Sequence, residues 1–244
     1  IRWHHPDRGI LPPDLFVPLA EQSWRIMGIT QLCLDQALAD LPELKLAALK
    51  NVENVLPPFV GINVTHGDLT DPALFLSLKD ALRAGSLAEG SLKLEMTETS
   101  LMTDPEEVYT QILKLKSVGI GVAIDDFGTG YSSMSYLARL PIATLKIDKS
   151  FVTSISQSSH DRKIVNGILK LAHELGISVI AEGIEDRSGA RYLGDSGCGF
   201  GQGYYFSRPV ELAEAVRLIQ DWRADVYCSS KAETSGSDKA LAAG

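Results

Sequence analysis

The stretch IGVAIDDFGTGYSS, residues 120–133, decides the fold because an apolar run there ends in two adjacent carboxylates. Consecutive apolar positions up to Ile124 are typical of a strand that is covered on both faces of a parallel sheet. Asp125 and Asp126 come where that strand ends, and each raises the free energy of ionising the other. The chain offers no general compensation, since its formal net charge is -8. A local source of positive charge is therefore expected beside this pair.

Further short β-rich runs alternate with amphipathic helices from about Phe59 onward. This alternation is typical of a parallel sheet with crossover helices. The strand candidates are FVGIN (residues 59–63), LKLEM (92–96), IGVAID (120–125), ATLKI (143–147), ISVIAE (177–182) and the region around GQGYYF (201–206).

The helices between these strands carry recognisable start and stop signals. One helix is predicted to start at Asp104 and Pro105 and to end before Gly119, and a second begins in the same way at Asp71 and Pro72. An Asp cap followed by Pro satisfies the first turn of a helix, and Gly allows the left-handed turn that ends one. A third helix is predicted to stop at Gly176.

Polar side chains stand at or just past the end of each strand. They are Asn63, Glu95, Asp125, Asp126, Lys146, Glu182 and Gln202. The carboxyl ends of parallel strands form one ring in a barrel, whereas an open sheet offers only a crevice. An α/β fold of the TIM-type (β/α)8 barrel class is therefore predicted. IRW at residues 1–3 is a seventh strand candidate, and closure is expected to need a strand before Ile1.

Length and composition predict one large domain over residues 1–225 and a flexible tail over residues 226–244, which offer little to bury. Cys33, Cys198 and Cys228 are widely spaced without a Cys-x-x-Cys, so neither a disulfide framework nor a zinc site is indicated. No stretch approaches the ~20 apolar residues of a membrane span. The acidic balance argues against binding to nucleic-acid polymers or anionic membranes. A cytoplasmic domain without membrane contact is expected.

Oxygen donors without His or Cys are the ligands that Mg²⁺ and Mn²⁺ prefer. Asn63, Glu95, Asp125 and Asp126 form such a set, and one carboxylate can bridge two cations about 3.5–4 Å apart, as in hydrolases of phosphate esters. Glu182 would ligate a metal or accept a proton from water. Lys146 would position that water or offset charge building on phosphorus.

Each of these residues also has an ordinary interpretation. A single acid after a strand is more often a helix cap or a solvated loop residue, and a lysine at a barrel rim often reaches out to solvent. The FGTGYSS segment lacks a complete G-x-G-x-x-G, so a nucleotide-binding fingerprint is not supported. Only the joint arrangement of the acids favours a metal site.

Taken together, the segments resemble the EAL domain family, the bacterial phosphodiesterases of cyclic di-GMP. The resemblance runs from residue 1 to about Pro209 in family order. Its segments are IRWHHPDRGILPPDLFVPLAE (residues 1–21), INVTHGDL (62–69), LKLEMTETSLM (92–102), AIDDFGTGYSSMSYLARLPIATLKIDKSFV (123–152), LAHELGISVIAEGIE (171–185) and GCGFGQGYYFSRP (197–209). The DDFGTGYSS…LKID block is the most specific of them.

The resemblance implies a TIM-type barrel, in which one strand can run antiparallel to the rest, and hydrolysis of cyclic di-GMP to linear pGpG with Mg²⁺ or Mn²⁺, in two sites. By motif match, the implied metal ligands are Asn63, Glu95, Asp125 as the bridge, Asp126 and the base-like Glu182. Lys146 matches the catalytic lysine, and Gln202 and Arg2 match substrate contacts. Glu98 matches the glutamate that holds the loop of residues 125–133 in its competent shape.

One departure from the family pattern bears on activity. The Glu-Ala-Leu triplet that names the family would lie just before Ile1, and its glutamate is a further metal ligand of the family. Two functions therefore stay open: an active phosphodiesterase, and a catalytically silent receptor that binds cyclic di-GMP. The resemblance also implies a homodimer and regulatory domains in a longer parent chain.

Overall fold

The structure, a computed structural model, describes residues 1–23, 25–51, 57–130 and 134–223. Every structural statement that follows concerns those residues. The predicted tail at residues 226–244 and the last part of the FGTGYSS segment, residues 131–133, lie outside them.

The chain begins with a small antiparallel hairpin and continues into a six-stranded parallel sheet whose strands are neighbours in chain order. The hairpin consists of β1 (Trp3–His5) and β2 (Gly9–Leu11). The sheet consists of β3 (Val60–Asn63), β4 (Leu92–Thr97), β5 (Gly121–Phe127), β6 (Thr144–Ile147), β7 (Ser178–Ala181) and β8 (Phe200–Gly201).

Helices connect the strands and cover the sheet. After a 3-10 turn at Pro13–Leu15 they are α1 (Val17–Glu21), α2 (Arg25–Lys50), α3 (His66–Thr70), α4 (Pro72–Arg83), α5 (Glu98–Leu101), α6 (Pro105–Ser117), α7 (Met134–Leu137), α8 (Lys149–Val152), α9 (Ser159–Leu175), α10 (Arg187–Asp195) and α11 (Leu212–Gln220). None of the described helices, the 26-residue α2 included, is both long and apolar enough to cross a bilayer.

The helix boundaries follow the signals in the sequence. The carboxylate of Asp104 accepts a hydrogen bond from the Glu107 N–H at 3.1 Å, and that of Asp71 accepts one from the Ala73 N–H at 2.9 Å. Gly176 ends α9 in a left-handed conformation with φ +67°. The three predicted helices are confirmed because each signal satisfies backbone groups that the helix end leaves unpaired.

The six-stranded sheet curls until its two outer strands approach each other. Phe59, just before β3, and Phe200 in β8 pack edge to face with ring centroids 5.7 Å apart. The Lys93 ammonium lies 3.8 Å from the Phe59 centroid and donates to Thr144 Oγ1 at 3.0 Å. These side chains fill the amino-terminal end of the curled sheet, and the prediction of an α/β fold of the TIM-barrel class is confirmed.

The prediction that residues 1–3 form a strand of the barrel is wrong. Trp3 pairs with Leu11 and His5 with Gly9 in the separate hairpin, and all pairings in the six-stranded sheet are parallel. The reason is local turn chemistry, because Gly9 adopts φ +71° and the Asp7 N–H donates to His5 Nδ1 at 3.1 Å. Antiparallel pairing is thus confined to the hairpin in the described part of the chain.

The last strand lies at the start of the region predicted around GQGYYF. β8 has only two residues, Phe200–Gly201, and a tight turn follows it. In that turn Gly203 has φ +158°, and a Cβ atom there would overlap the backbone of Ile184. The close approach ends the strand and fixes the turn against the segment that follows β7.

Candidate active site

Lys146 is the centre of the polar cluster at the carboxyl ends of the strands. It lies in β6 and is only 4% exposed. Its Nζ is 2.6 Å from Glu95 Oε2, 2.8 Å from Glu182 Oε1 and 3.2 Å from Asp125 Oδ1. These acids come from β4, from the residue after β7 and from β5, so the curl of the sheet brings together side chains far apart in sequence.

Burial and charge act against each other at this cluster. Burial raises the pKa of Glu95 and that of Glu182, and the nearby ammonium of Lys146 offsets part of each rise. Burial alone would lower the pKa of Lys146, but the three carboxylates outweigh it and hold that pKa above its ordinary value. One ammonium faces three carboxylates, so the ionised cluster carries surplus negative charge.

Asp126 adds a further carboxylate to this negatively charged cluster. A β-bulge between Ile124 and Phe127 interrupts the pairing of β5 with β6, and Asp126 adopts φ +52°, which Asp tolerates better than most residues. Burial, followed by the charges of Asp125 and Asp148, raises the pKa of Asp126. Oxygen atoms of Asp125, Asp126 and Glu182 lie within 4.8 Å of one another.

This donor set fits a divalent cation. Its atoms are carboxylate oxygens, they converge on one place, and their charge exceeds what Lys146 neutralises. Hard cations such as Mg²⁺ and Mn²⁺ prefer such ligands. The structure thus contains a cluster of acidic residues of the kind that the sequence predicted.

Glu95 depends on a glycine in the neighbouring strand. A Cβ atom at Gly61 would overlap Oε1 of Glu95, so the absence of a side chain in β3 makes room for this carboxylate. Asn63 lies two residues further along β3, in register with Glu95. Asn63 is exposed and lies, like the acids, at the carboxyl ends of the strands, which form the rim of the curled sheet.

Glu98 is buried beneath the loop that follows β5. Its Oε2 accepts hydrogen bonds from the Gly128 N–H at 3.1 Å and from the Gly130 N–H at 3.2 Å. A Cβ atom at Gly130 would lie 2.8 Å from this carboxylate. The contact ties the start of the loop to α5 and leaves little freedom at Gly130.

Gln202 and Arg2 have different positions relative to the acids. The Gln202 N–H donates to Ala181 O at 2.9 Å, which puts Gln202 on the rim beside Glu182. The guanidinium of Arg2 donates to Ile1 O at 2.7 Å within the exposed start of the chain. Among the described residues, no carboxylate lies within ion-pair distance of Arg2.

Asp148 is a neighbour of the cluster that sequence reasoning missed. It follows β6, caps α8 by accepting from the Ser150 N–H at 2.9 Å, and lies beside Asp126. Burial alone would raise the pKa of Asp148, but its hydrogen bonds with Ser150 lower it. The signal was available, since Asp148 ends a strand just as the other rim acids do.

Comparison with known proteins agrees with this geometry. A profile described as the EAL domain matches residues 1–209. The chain belongs to the EAL domain family. The EAL domain is 36% identical over 225 residues to the cyclic di-GMP phosphodiesterase NbdA of Pseudomonas aeruginosa, an alignment that covers 92% of this chain and 28% of NbdA. It spans about a third of the length of the curated relatives that it matches.

Solved structures resemble the EAL domain over most of its length. The PaMucR phosphodiesterase in complex with c-di-GMP superposes with a TM-score of 0.77 at 34% identity, covering 87% of this chain and 84% of that one. The manganese/cy-diGMP complex of Klebsiella pneumoniae BlrP1 superposes with a TM-score of 0.68 at 30% identity, covering 82% of this chain and 49% of that one.

Proposed function

We propose that this EAL domain hydrolyses cyclic di-GMP to linear pGpG and that it needs Mg²⁺ or Mn²⁺, bound in two sites. The observation that carries the proposal is the convergence of Glu95, Asp125 and Glu182 on the buried Lys146, with Asp126 beside them. Relatives named as cyclic di-GMP phosphodiesterases and a related structure with manganese and the dinucleotide support the choice of substrate and metal.

The metal ligands in this proposal are Asn63, Glu95, Asp125 as the bridge, Asp126 and Glu182. Divalent ions held by these oxygens would supply charge neutralisation at the phosphodiester and a lowered pKa of water. The surplus negative charge of the cluster is what makes it a suitable host.

Glu182 accepts the proton of the attacking water in this proposal. Its carboxylate lies within 4.8 Å of oxygens of Asp125 and Asp126, so a water held among these oxygens would be within its reach. Lys146 keeps its proton because three carboxylates surround it, so it can donate to an oxygen of the phosphodiester throughout the reaction.

Three further residues position the loop and the substrate. Glu98 holds the loop after β5 through Gly128 and Gly130, which fixes the backbone next to Asp126. Gln202 contacts the substrate from the end of β8. Arg2 contacts a substrate phosphate, and its present hydrogen bond to Ile1 O would have to be exchanged for that contact.

The test is turnover by the full protein that carries this domain. Cyclic di-GMP is incubated with Mg²⁺ or Mn²⁺, pGpG is quantified by chromatography, and EDTA is added in a parallel reaction. Wild type is expected to form pGpG only with metal, and Glu182→Gln is expected to lose at least 100-fold in kcat while still binding cyclic di-GMP. Glu174→Gln, on the exposed face of α9, serves as the matched control.

The same experiment separates the two functions that the sequence leaves open. Tight binding of cyclic di-GMP without turnover would favour the silent receptor, a role compatible with Lys146 satisfying the carboxylates without metal. Absence of both binding and turnover would overturn the proposal. We also propose that the parent chain carries regulatory domains and forms a homodimer. Light scattering, which gives the mass of the full protein in solution, tests the homodimer.

A further inference from the structure

Asn51, the residue that follows α2, is hydrogen-bonded to the end of α11. Its side-chain amide donates to Ile219 O at 2.7 Å, to Trp222 O at 3.0 Å and to Gln220 O at 3.3 Å. The last carbonyl groups of a helix have no partner within the helix, so the amide satisfies groups that α11 leaves open. Asn51 is only 8% exposed. This buried amide therefore fixes the end of α11 against the end of α2.

Trp222 connects the end of α11 to the turn that follows β8. The centroid of its ring lies 6.1 Å from that of Phe206, and the two ring planes are tilted by 53°. Aromatic rings at this separation are in packing contact. Phe206 belongs to the turn, since its N–H donates to Gly203 O at 3.0 Å. The amide of Asn51 thus holds the residue whose ring packs on this turn.

The ring of Phe206 lies directly on the last residue of β8. A Cβ atom at Gly201 would lie 3.1 Å from Cε2 of Phe206, so the glycine leaves room for the ring. The next residue is Gln202, whose N–H donates to Ala181 O at 2.9 Å and whose carbonyl accepts from the Ile184 N–H at 3.1 Å. Backbone hydrogen bonds therefore hold Gln202 to the neighbouring strand, and the Phe206 ring packs on the residue before it.

Two other amide side chains, both within α2, show what a local contact looks like. Gln31 donates to Asp35 at 2.8 Å, and Gln36 donates to Asp40 at 2.8 Å. Each pair is exposed and joins residues four positions apart on the surface of one helix. Asn51 differs from both, because it is buried and its hydrogen bonds join two helices that are far apart in sequence.

We infer that Asn51 is a positioning residue for Gln202, acting through Trp222 and Phe206. The inference rests on the proposed function, in which Gln202 contacts the substrate from the end of β8. Gln202 is not among the groups that surround Lys146, so its displacement weakens substrate binding and leaves the acidic cluster in place. Loss of the Asn51 amide therefore raises KM for cyclic di-GMP and changes kcat little.

Steady-state kinetics of the full protein with Mn²⁺ test this role. Asn51→Leu removes the amide at similar side-chain volume, and it is expected to raise KM for cyclic di-GMP at least fivefold and to change kcat less than twofold. Gln36→Leu, which removes an exposed amide from α2, is the matched control and is expected to change neither constant. A fall in kcat without a rise in KM would overturn the inference, because it would show a general structural role for Asn51.

A double-mutant cycle tests whether Asn51 acts through Gln202. The variant with both Asn51→Leu and Gln202→Ala is expected to have the KM of Gln202→Ala alone, within twofold, because the second change has nothing left to position. A KM that shows the full product of the two single effects would mean that the sites act independently, and would overturn the inference.

The intermediate contacts have tests of their own. In Asn51→Leu the Phe206 amide is expected to exchange with solvent at least tenfold faster, while the Glu107 amide, bonded to Asp104, keeps its wild-type rate. Trp222→Ala is expected to raise KM at least fivefold, and Trp222→Phe, which keeps a ring against Phe206, is expected to stay within twofold of wild type. These variants decide the matter if Asn51→Leu does not fold, and equal KM values for the two would overturn the inference.

Calorimetric binding of cyclic di-GMP, measured in the Glu182→Gln background, separates this inference from the proposed function. If wild type binds the dinucleotide without hydrolysing it, the phosphodiesterase proposal fails, and a fivefold higher Kd on adding Asn51→Leu still supports the positioning role. If wild type hydrolyses it and Asn51→Leu changes KM and Kd by less than twofold, the positioning role is overturned and the function stands. Absence of both binding and turnover overturns both.

Discussion

The Nζ of Lys146 lies 2.6 Å from Oε2 of Glu95, and both side chains are buried. Glu95 belongs to β4 and Lys146 to β6, the strands on either side of β5. Asp125 and Glu182 complete the contacts of the same ammonium. A buried ion pair contributes little net stability, but removing one partner is costly because the other charge stays buried and unpaired. Lys146 therefore holds the candidate site together whenever no dication is bound.

Lys146→Met is expected to destabilise the metal-free protein by about 3–5 kcal/mol, because three carboxylates lose the ammonium that they share. Added Mg²⁺ would then take over part of that role and raise the melting temperature of the variant more than that of wild type. Thermal unfolding with and without Mg²⁺ measures both effects. Lys170→Met, at an exposed position of α9, is the control, and an equal metal response in variant and wild type would contradict the prediction.

Gly61→Ala is expected to lower kcat/KM for cyclic di-GMP by at least tenfold, since its Cβ atom would displace the Glu95 carboxylate from Lys146. The control is Gly28→Ala in α2, where an added Cβ meets nothing within 4 Å and the helix gains about 0.5–1 kcal/mol. Steady-state kinetics on both variants, with melting temperatures to check folding, give the answer. An unchanged kcat/KM in Gly61→Ala would contradict the prediction, because it would show that displacing the Glu95 carboxylate does not affect catalysis.

The rim could be predicted from sequence because the rules involved are local. A strand of apolar residues that ends in an acid puts that acid at the carboxyl edge, and neighbouring parallel strands share this edge. Glu95, Asp125 and Glu182 follow that rule, and the structure brings them to one ammonium. The caps at Asp71 and Asp104 were predictable for the same reason.

Features that depend on tertiary packing were not predictable. The β-bulge, at which Asp126 adopts a left-handed conformation, arises from the pairing of β5 with β6. No pattern of residues in the sequence predicts it. The end of β8 at Gly201 comes from the contact of Gly203 with Ile184, which are separated in sequence but follow the neighbouring strands β8 and β7. The hairpin was not predictable from its apolar start, because IRW also fits a barrel strand and only the left-handed turn at Gly9 pairs it with β2.

Glu98→Gln is expected to free the start of the loop after β5. The charged oxygen accepts two backbone hydrogen bonds, and hydrogen bonds to charged groups contribute about 1.5–3 kcal/mol each. Amide exchange at Gly128 and Gly130 should therefore accelerate at least tenfold, and kcat should fall because the backbone beside Asp126 is no longer fixed. Exchange rates that match wild type, with kcat reduced, would assign Glu98 some other role.

Lys93 is expected to make the free energy of unfolding depend on pH in the alkaline range. Burial lowers its pKa from 10.5 to about 8, while the unfolded chain keeps the ordinary value. Between these two values the unfolded state binds more protons than the folded state, so the free energy of unfolding rises with pH. Lys93→Met, which also suits the apolar contact with Phe59 and Phe200, abolishes this contribution.

Urea unfolding from pH 7.5 to 9.5 measures the effect. The difference in the free energy of unfolding between Lys93→Met and wild type should narrow as pH rises. Parallel stability curves for the two proteins would contradict the lowered pKa, and Lys170→Met should follow wild type throughout.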